Sequence, residues 1–253
     1  HNPFVKTPDT IGTEQRTQEA NKAPKNKQLQ KENFVAMVEY MDKIVGRIVK
    51  KVQSIGQEEN TIILFTADNG TNRSITSRWN GLDIKGGKGG MKDMGTHVPL
   101  VAAWPGRSPT GVVCNDLVDF TDMYPTFADA AGVPLGKDDP IDGRSFLPQL
   151  SGENGETRNF VFLHYQPYWG AQPGQFARTQ EYKLYRNGGL FHVPEDLEES
   201  SDLNLINYLD QSGNEAKKLL SEVLSKAPPA PTEPGSRTTV ERPTYADWPL
   251  LNH

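Results

Sequence analysis

Two residues beyond an unbroken apolar run, Ile62-Ile63-Leu64-Phe65, the chain reaches Asp68-Asn69-Gly70. A carboxylate and an amide oxygen side by side can hold a hard divalent cation, which prefers oxygen donors. Four consecutive large apolar residues suit a strand buried on both faces, as in a parallel sheet covered by helices. In such sheets ligands collect beyond the carboxyl ends of the strands, where Asp68 and Asn69 fall. Asn69-Gly70 also reads as a tight turn, because Asn-Gly is a strong hairpin signal. A hairpin needs a second strand at once, and the segment 71–87 shows no alternating apolar pattern. Lys88 lies within Gly86-Gly87-Lys88-Gly89-Gly90, where the backbone can approach an anion closely. A nucleotide P-loop would require Gly at position 82 and Ser or Thr at 89. The chain has Leu82 and Gly89, so that chemistry is excluded. A loop presenting an ammonium group to an anion and a plain mobile loop both fit what remains.

The elements that must position these residues emerge from pattern. Residues 1 to about 30 are polar and hold Pro3, Pro8 and Pro24, which predicts a loop. From Glu32, apolar residues recur at three and four (Phe34, Met37, Val38, Met41, Ile44, Val45, Ile48, Val52), predicting a helix that stops at Gly56. The strand at 61–67 comes next, then a second at 98–104 with Pro99 near its start. Residues 119–131 read as a strand end and a helix with Thr121 as N-cap. A composition shift at 151–155 predicts a domain boundary. Beyond it, strands are expected at 160–165 and 182–185, a turn at Asn187-Gly188-Gly189, and a helix at 215–226. The tail is Pro-rich. This order predicts an α/β domain over 1–150, a small α+β subdomain over 151–226 and an extended tail over 227–253.

TIILFTADNG, then Lys88-x4-Asp93-x-Gly95-x-His97-x-Pro99 and Trp104-Pro105-Gly106, resembles the sulfatase family of the alkaline phosphatase superfamily. Asp93 stands where the family has Glu, Met94 where it has the first Gly, and His97 where it has Arg. Lys88 and Pro99 stay in register, and no role is carried over to His97. Three further stretches match: the helix-like segment 34–56, the segments 119–134 and 142–152, and RTQEYKLYRNGGLFHVPEDLEESSDLN at 178–204.

The resemblance implies an alkaline-phosphatase-like mixed sheet sandwiched by helices, with a small C-terminal subdomain of antiparallel sheet plus helix. It implies an exported (periplasmic or extracellular) sulfuric ester hydrolase acting on a sulfated small molecule or polysaccharide. It also implies one divalent cation, calcium or else magnesium, held in part by Asp68 and Asn69. Lys88 would pair with sulfate oxygens. His1, in a segment similar to the family's His-x-Pro, would bind sulfate or protonate the leaving oxygen. Lys85 and Lys92 compete with Lys88 as loop cations, and the alignment favours Lys88. The family's nucleophile is a formylglycine made within a Cys/Ser-x-Pro/Ala-x-Arg motif. The single cysteine, Cys114 in VVCNDLV, lies outside any such motif and is expected to fill a core position. The chain accordingly reads as the C-terminal portion of a sulfatase that lacks the nucleophile and is inactive alone. A phosphoester or phosphonate hydrolase of the same superfamily and a non-catalytic binding module are the alternatives. A two-zinc phosphomonoesterase would need more His and Asp ligands than five scattered histidines offer.

The net charge of −5, without a basic run, excludes a nucleic-acid binder, and no segment has the apolar length of a membrane span. One cysteine excludes an intrachain disulfide. His164, Tyr165, Tyr168 and Trp169 form an aromatic cluster, read first as core packing of a small sheet and second as a rim for a sugar ring. Arg178 reads as structural. His192, Glu195 and Asp196 are placed in a surface turn without a role.

Overall fold

Asn26 sets the start of the longest helix. In the computed structural model, which describes residues 4–11, 24–136, 139–169, 171–205 and 209–233, its Oδ1 accepts from the backbone N–H groups of Gln28 and Leu29. After a one-turn helix, α1 (Pro8–Ile11), this cap opens α2 (Lys27–Ser54). The helix thus begins ahead of the expected Glu32, because a capping oxygen outweighs the polar composition of the first turn. It ends where expected: Gly56 adopts φ 65°, the left-handed conformation that closes helices. Its apolar stripe is only partly covered, and Val38, Met41 and Ile48 stay exposed.

The chain divides into two units, residues 1–107 and 108–253. In the first, β1 (Ile63–Thr66) pairs antiparallel with β4 (Leu100–Ala103), Ile63 opposite Ala103 and Thr66 opposite Leu100. The apolar run of β1 was expected to be enclosed on both faces of a parallel sheet. It is instead half-buried along its length, and its neighbour among the described residues runs antiparallel. Trp104, directly after β4, is buried and donates its Nε1–H to the Glu59 carbonyl at 2.9 Å, which fastens the strand end to the turn before β1.

Between these strands lies a hairpin that polarity alone concealed: β2 (Thr76–Trp79) and β3 (Leu82–Lys85), Thr76 opposite Lys85. Asn80 and Gly81 turn it with φ of 47° and 82°, both left-handed, as a two-residue turn requires. The hairpin buries little beyond part of Ile84, so no alternating apolar pattern exists to be seen. The turn signal operates at Asn80-Gly81, and Asn69-Gly70 makes no hairpin. A one-turn helix, α3 (Asp93–Thr96), comes after the glycine loop.

The second unit starts from a reciprocal cap. Asp119 Oδ1 accepts from Thr121 N at 2.9 Å and Asp122 Oδ2 from Asp119 N at 2.8 Å, so Asp119 and not Thr121 opens the turn leading into α4 (Met123–Ala130). A carboxylate reaches the free N–H groups of a first turn better than the shorter hydroxyl. Buried Asp122 also accepts from Arg144 N at 2.8 Å and from Arg158 Nε and Nη2. Arg158 further donates to Thr121 Oγ1 and the Asp142 carbonyl, tying this turn to the residues preceding the sheet. Burial costs the guanidinium, but the Asp122 hydrogen bond and charge outweigh that cost and hold its pKa above the ordinary value. After α5 (Leu147–Leu150) come β5 (Val161–Tyr165), β6 (Gly174–Arg178), β7 (Tyr182–Tyr185) and β8 (Leu190–His192), an antiparallel meander in that order.

Strand β6 lacks an apolar pattern, since Gln175 and Arg178 flank Phe176 and Ala177, yet all four are buried. Their donors are engaged: Gln175 Nε2 meets His164 Nδ1 and the Pro228 carbonyl, while its buried Oε1 has no hydrogen-bond partner among the described residues, and Arg178 donates to the Thr179 and Gln180 carbonyls. Arg178 is thus structural, as expected. Asp210 caps α6 (Gln211–Lys226) by accepting from Gly213 N at 2.7 Å, which moves the helix start ahead of the expected residue 215. Ala216, Leu220, Val223 and Leu224 of α6 pack on Ala177, Tyr182, Leu184 and Leu190 of the sheet, forming the core of this unit. Lys183 is buried as well; its ammonium pairs with Glu199 at 2.9 Å and lies 4.1 Å from the centre of the Phe176 ring.

Two local expectations are corrected here. Cys114 is exposed, not in the core, because VVCNDLV lies outside every helix and strand described. His192 closes β8 and is half-buried, although Asp196 does organise a turn, accepting from Ser200 N and Ser201 N at 2.7 Å each.

Candidate active site

Asp68 and Asn69 lie just past the end of β1, where the strand stops and the chain bends. The bend is held by backbone contacts that only glycine permits. Gly70 N donates to Gly95 O at 2.9 Å, and Lys88 N donates to Thr71 O at 3.0 Å. A Cβ on Gly70 would run into the Met94 carbonyl, and one on Gly95 would run into the carbonyls of Gly87 and Gly90. The Asp-Asn-Gly bend, the glycine loop and α3 are therefore stacked main chain on main chain. This brings Lys88 alongside the residues directly after Asp68 and Asn69.

The three loop lysines separate by burial. Lys88 is half-buried, whereas Lys85 and Lys92 are exposed. Asp93 is buried at the start of α3 and its Oδ2 lies 3.0 Å from His97 Nδ1, while His97 itself is exposed. Asp93 thereby anchors the short helix against which Gly70 packs.

The donors at 68 and 69, one carboxylate and one amide oxygen, belong to the class that calcium and magnesium prefer. Among the described residues no group of three His, Cys, Asp or Glu side chains is placed to hold a metal ion. Asp68 and Asn69 thus fit as part of a ligand set. His1 lies outside the described residues. Among them, no helix is long and apolar enough to cross a membrane.

A family model for sulfatases matches residues 1–133, about half of the chain. The chain belongs to the sulfatase family. A second model, described as N-sulphoglucosamine sulphohydrolase, C-terminal, matches residues 87–225. The chain is 30% identical over 168 residues to an ulvan-active sulfatase of Formosa agariphila, covering 63% of this chain and 29% of that protein. It is 35% identical over 148 residues to human arylsulfatase A, covering 57% of this chain and 28% of the relative. The sulfatase chain thus spans under a third of the length of these relatives. Among solved structures, the PsFucS1 sulfatase from Pseudoalteromonas sp. superposes with a TM-score of 0.57 at 26% identity, covering 76% of this chain and 42% of that one. A protein solved with its substrate D-glucosamine-2-N,6-O-disulfate shares the fold with a TM-score of 0.63 at 24% identity, covering 76% and 40%. The alkaline-phosphatase-like fold expected from the sequence is therefore present.

Sequence reasoning missed what holds this site together. The signal was there in Gly70, Gly86, Gly87, Gly90 and Gly95, but which glycines face another backbone is decided by tertiary packing. The aromatic cluster departs from its favoured reading. Tyr168 and Trp169 are 51% and 58% exposed, so they are not core. They contact edge to face at 5.1 Å, and Tyr165 meets Trp169 the same way at 6.2 Å. The other end of the cluster is half-buried: His164 Nδ1 lies 2.9 Å from Gln175 Nε2, and burial pushes its pKa below the ordinary value against an opposing hydrogen bond from Gln166.

Proposed function

We propose that this chain supplies the cation-holding and sulfate-holding half of the site of a sulfuric ester hydrolase that acts on a sulfated carbohydrate. The observation that carries the reading is the glycine-mediated stacking of the Asp68-Asn69-Gly70 bend on the Lys88 loop. That stacking supports a single site in which the oxygen donors of Asp68 and Asn69 work with the half-buried residue Lys88. The similarity to an ulvan-active sulfatase and the fold shared with a protein whose substrate is a glucosamine disulfate support a carbohydrate.

Hydrolysis of a sulfate ester breaks the S–O bond to the alcohol and builds negative charge on the sulfuryl and leaving oxygens. Asp68 and Asn69 would hold calcium, or magnesium in its place. When bound, that cation supplies positive charge against the sulfate group. Lys88 donates to the sulfuryl oxygens and stabilises charge that grows in the transition state, from a backbone held to Thr71. His1 would bind sulfate or give the leaving alcohol its proton, since imidazole titrates near operating pH. Cys114 does not fit a formylglycine precursor, so no step runs through it. The family resemblance also supports export to the periplasm or the extracellular space.

The test is a calorimetric calcium titration, with sulfate-ester turnover measured beside it, on the full-length protein. Asp68→Ala should abolish both cation binding and turnover, because a charged ligand is lost. Asn69→Ala should weaken both less, because the donor it removes is neutral. Unchanged calcium affinity in Asp68→Ala would rule out the assignment. Hydrolysis of phosphate monoesters in preference to sulfate esters would move the protein to a different reaction class.

A further inference from the structure

The loop after β5 reads Gln166-Pro167-Tyr168-Trp169 and presents two large aromatic side chains to solvent from a buried proline. Pro167 fixes its own φ and is packed into the unit, so the tip carrying the rings stands on a rigid base. Tyr165, half-buried at the end of β5, meets Trp169 edge to face, and Trp169 meets Tyr168 the same way. Each perpendicular contact sets the edge of one ring against the face of the other, and Tyr168 and Trp169 nonetheless stay 51% and 58% exposed. Leaving rings of this size more than half exposed forfeits much of the stabilisation their burial would supply. Two adjacent rings held together in this way form a continuous aromatic surface.

Polar groups border the rings. The Gln166 side chain donates to the Glu233 carbonyl at 3.1 Å and also hydrogen-bonds to His164. His164 Nδ1 lies 2.9 Å from Gln175 Nε2. Burial lowers its pKa against the opposing Gln166 hydrogen bond. Trp169 carries an indole N–H and Tyr168 a phenol at the rim of their rings. An aliphatic protein partner would call for Leu, Ile or Val around such a tip. Flat aromatic rings carrying an indole N–H and a phenol hydroxyl match a pyranose instead, which offers a face of C–H groups and a perimeter of hydroxyls.

We propose that Trp169 and Tyr168, supported by Tyr165, form a stacking platform for a neutral pyranose face of the polysaccharide substrate, separate in chemistry from the sulfate-binding Lys88 loop. The inference rests on the carbohydrate-sulfatase reading above for the identity of its ligand.

The experiment uses the full-length protein and its Trp169→Ala, Tyr168→Ala and Trp169→Phe variants. Retardation in native gels containing ulvan or chemically desulfated ulvan reads the platform without turnover. Hydrolysis of 4-nitrocatechol sulfate, which carries no sugar, reads the sulfatase activity. Trp169→Ala should weaken retardation by both polymers about tenfold in apparent Kd, a factor corresponding to roughly 1.4 kcal/mol. Trp169→Phe should restore most of it, and aryl-sulfate hydrolysis should be unchanged in every variant. Tyr168→Ala should show a smaller loss of the same kind, and it supplies the readout if Trp169→Ala does not fold. Three results each overturn the platform: unchanged retardation in folded variants, a loss confined to the sulfated polymer, or no retardation of the wild-type protein by either polymer. Absence of aryl-sulfate hydrolysis by the wild-type protein would overturn the sulfatase reading instead, and the retardation result would be judged separately.

Discussion

Lys88 differs from its neighbours through its surroundings and not through its chemistry. Lys85 ends an exposed hairpin strand and Lys92 precedes α3 in solvent, while Lys88 is half-buried on a backbone pinned to Thr71. Full-length protein carrying Lys88→Ala should lose on the order of a hundredfold or more in kcat/KM for a sulfate ester, the scale for removing one preorganised charge-stabilising group. Lys85→Ala and Lys92→Ala should stay close to wild type in the same steady-state assay. Should Lys85→Ala prove the more damaging, the register through the glycine loop is wrong. The identity of Lys88 was legible because its spacing to Asp93, Gly95 and Pro99 survives in the sequence. Its partial burial was not, because its backbone is held by Thr71, seventeen residues back in the chain, which spacing alone does not reveal.

At the scale of elements, local signals worked where they were complete within a few residues. Gly56 ends α2 and Asn187-Gly188-Gly189 turns β7 into β8, as pattern predicted. Helix starts were missed because their caps, Asn26 and Asp210, are single residues embedded in polar stretches. Asp210→Ala should destabilise the second unit by about 1 kcal/mol, the usual worth of an N-cap. The loss should appear as a lower urea midpoint with an unchanged slope. Restoration by Asp210→Ser would separate capping from the contact between Asp210 and the Tyr182 hydroxyl at 3.4 Å. Strand β6 escaped notice for the opposite reason: Gln175 and Arg178 are buried with their donors held by backbone carbonyls, which no count of apolar residues can register.

At the scale of the molecule, the second unit is closed by interactions between segments distant in the chain. Asp122 collects Arg158, Arg144 N and Asp119 N on one buried carboxylate, joining the start of α4 to the residues that lead into the sheet. Arg158→Ala leaves that carboxylate buried and without its guanidinium, a change that typically costs about 3–5 kcal/mol. Chemical denaturation of the full-length protein should show this loss. Adding Asp122→Asn should recover part of it, because the uncompensated charge is then gone. A cost below about 1 kcal/mol for Arg158→Ala would show that the pair is replaceable by solvent and does not close the unit.

The sequence alone determined the order of functional groups along the chain and the local form of the elements that carry them. These included a β-strand ending in Asp68-Asn69-Gly70, a lysine at a fixed distance from Pro99, and a long amphipathic helix before them. Such features depend on neighbours within a turn or two, so composition and spacing express them directly. Tertiary structure alone decided which glycines meet another backbone, why Lys183 and Gln175 are buried while Cys114, Tyr168 and Trp169 face solvent, and that β1 pairs antiparallel with β4. Burial and pairing are set by residues tens of positions away, and the energy that determines them exists only once those residues have come into contact.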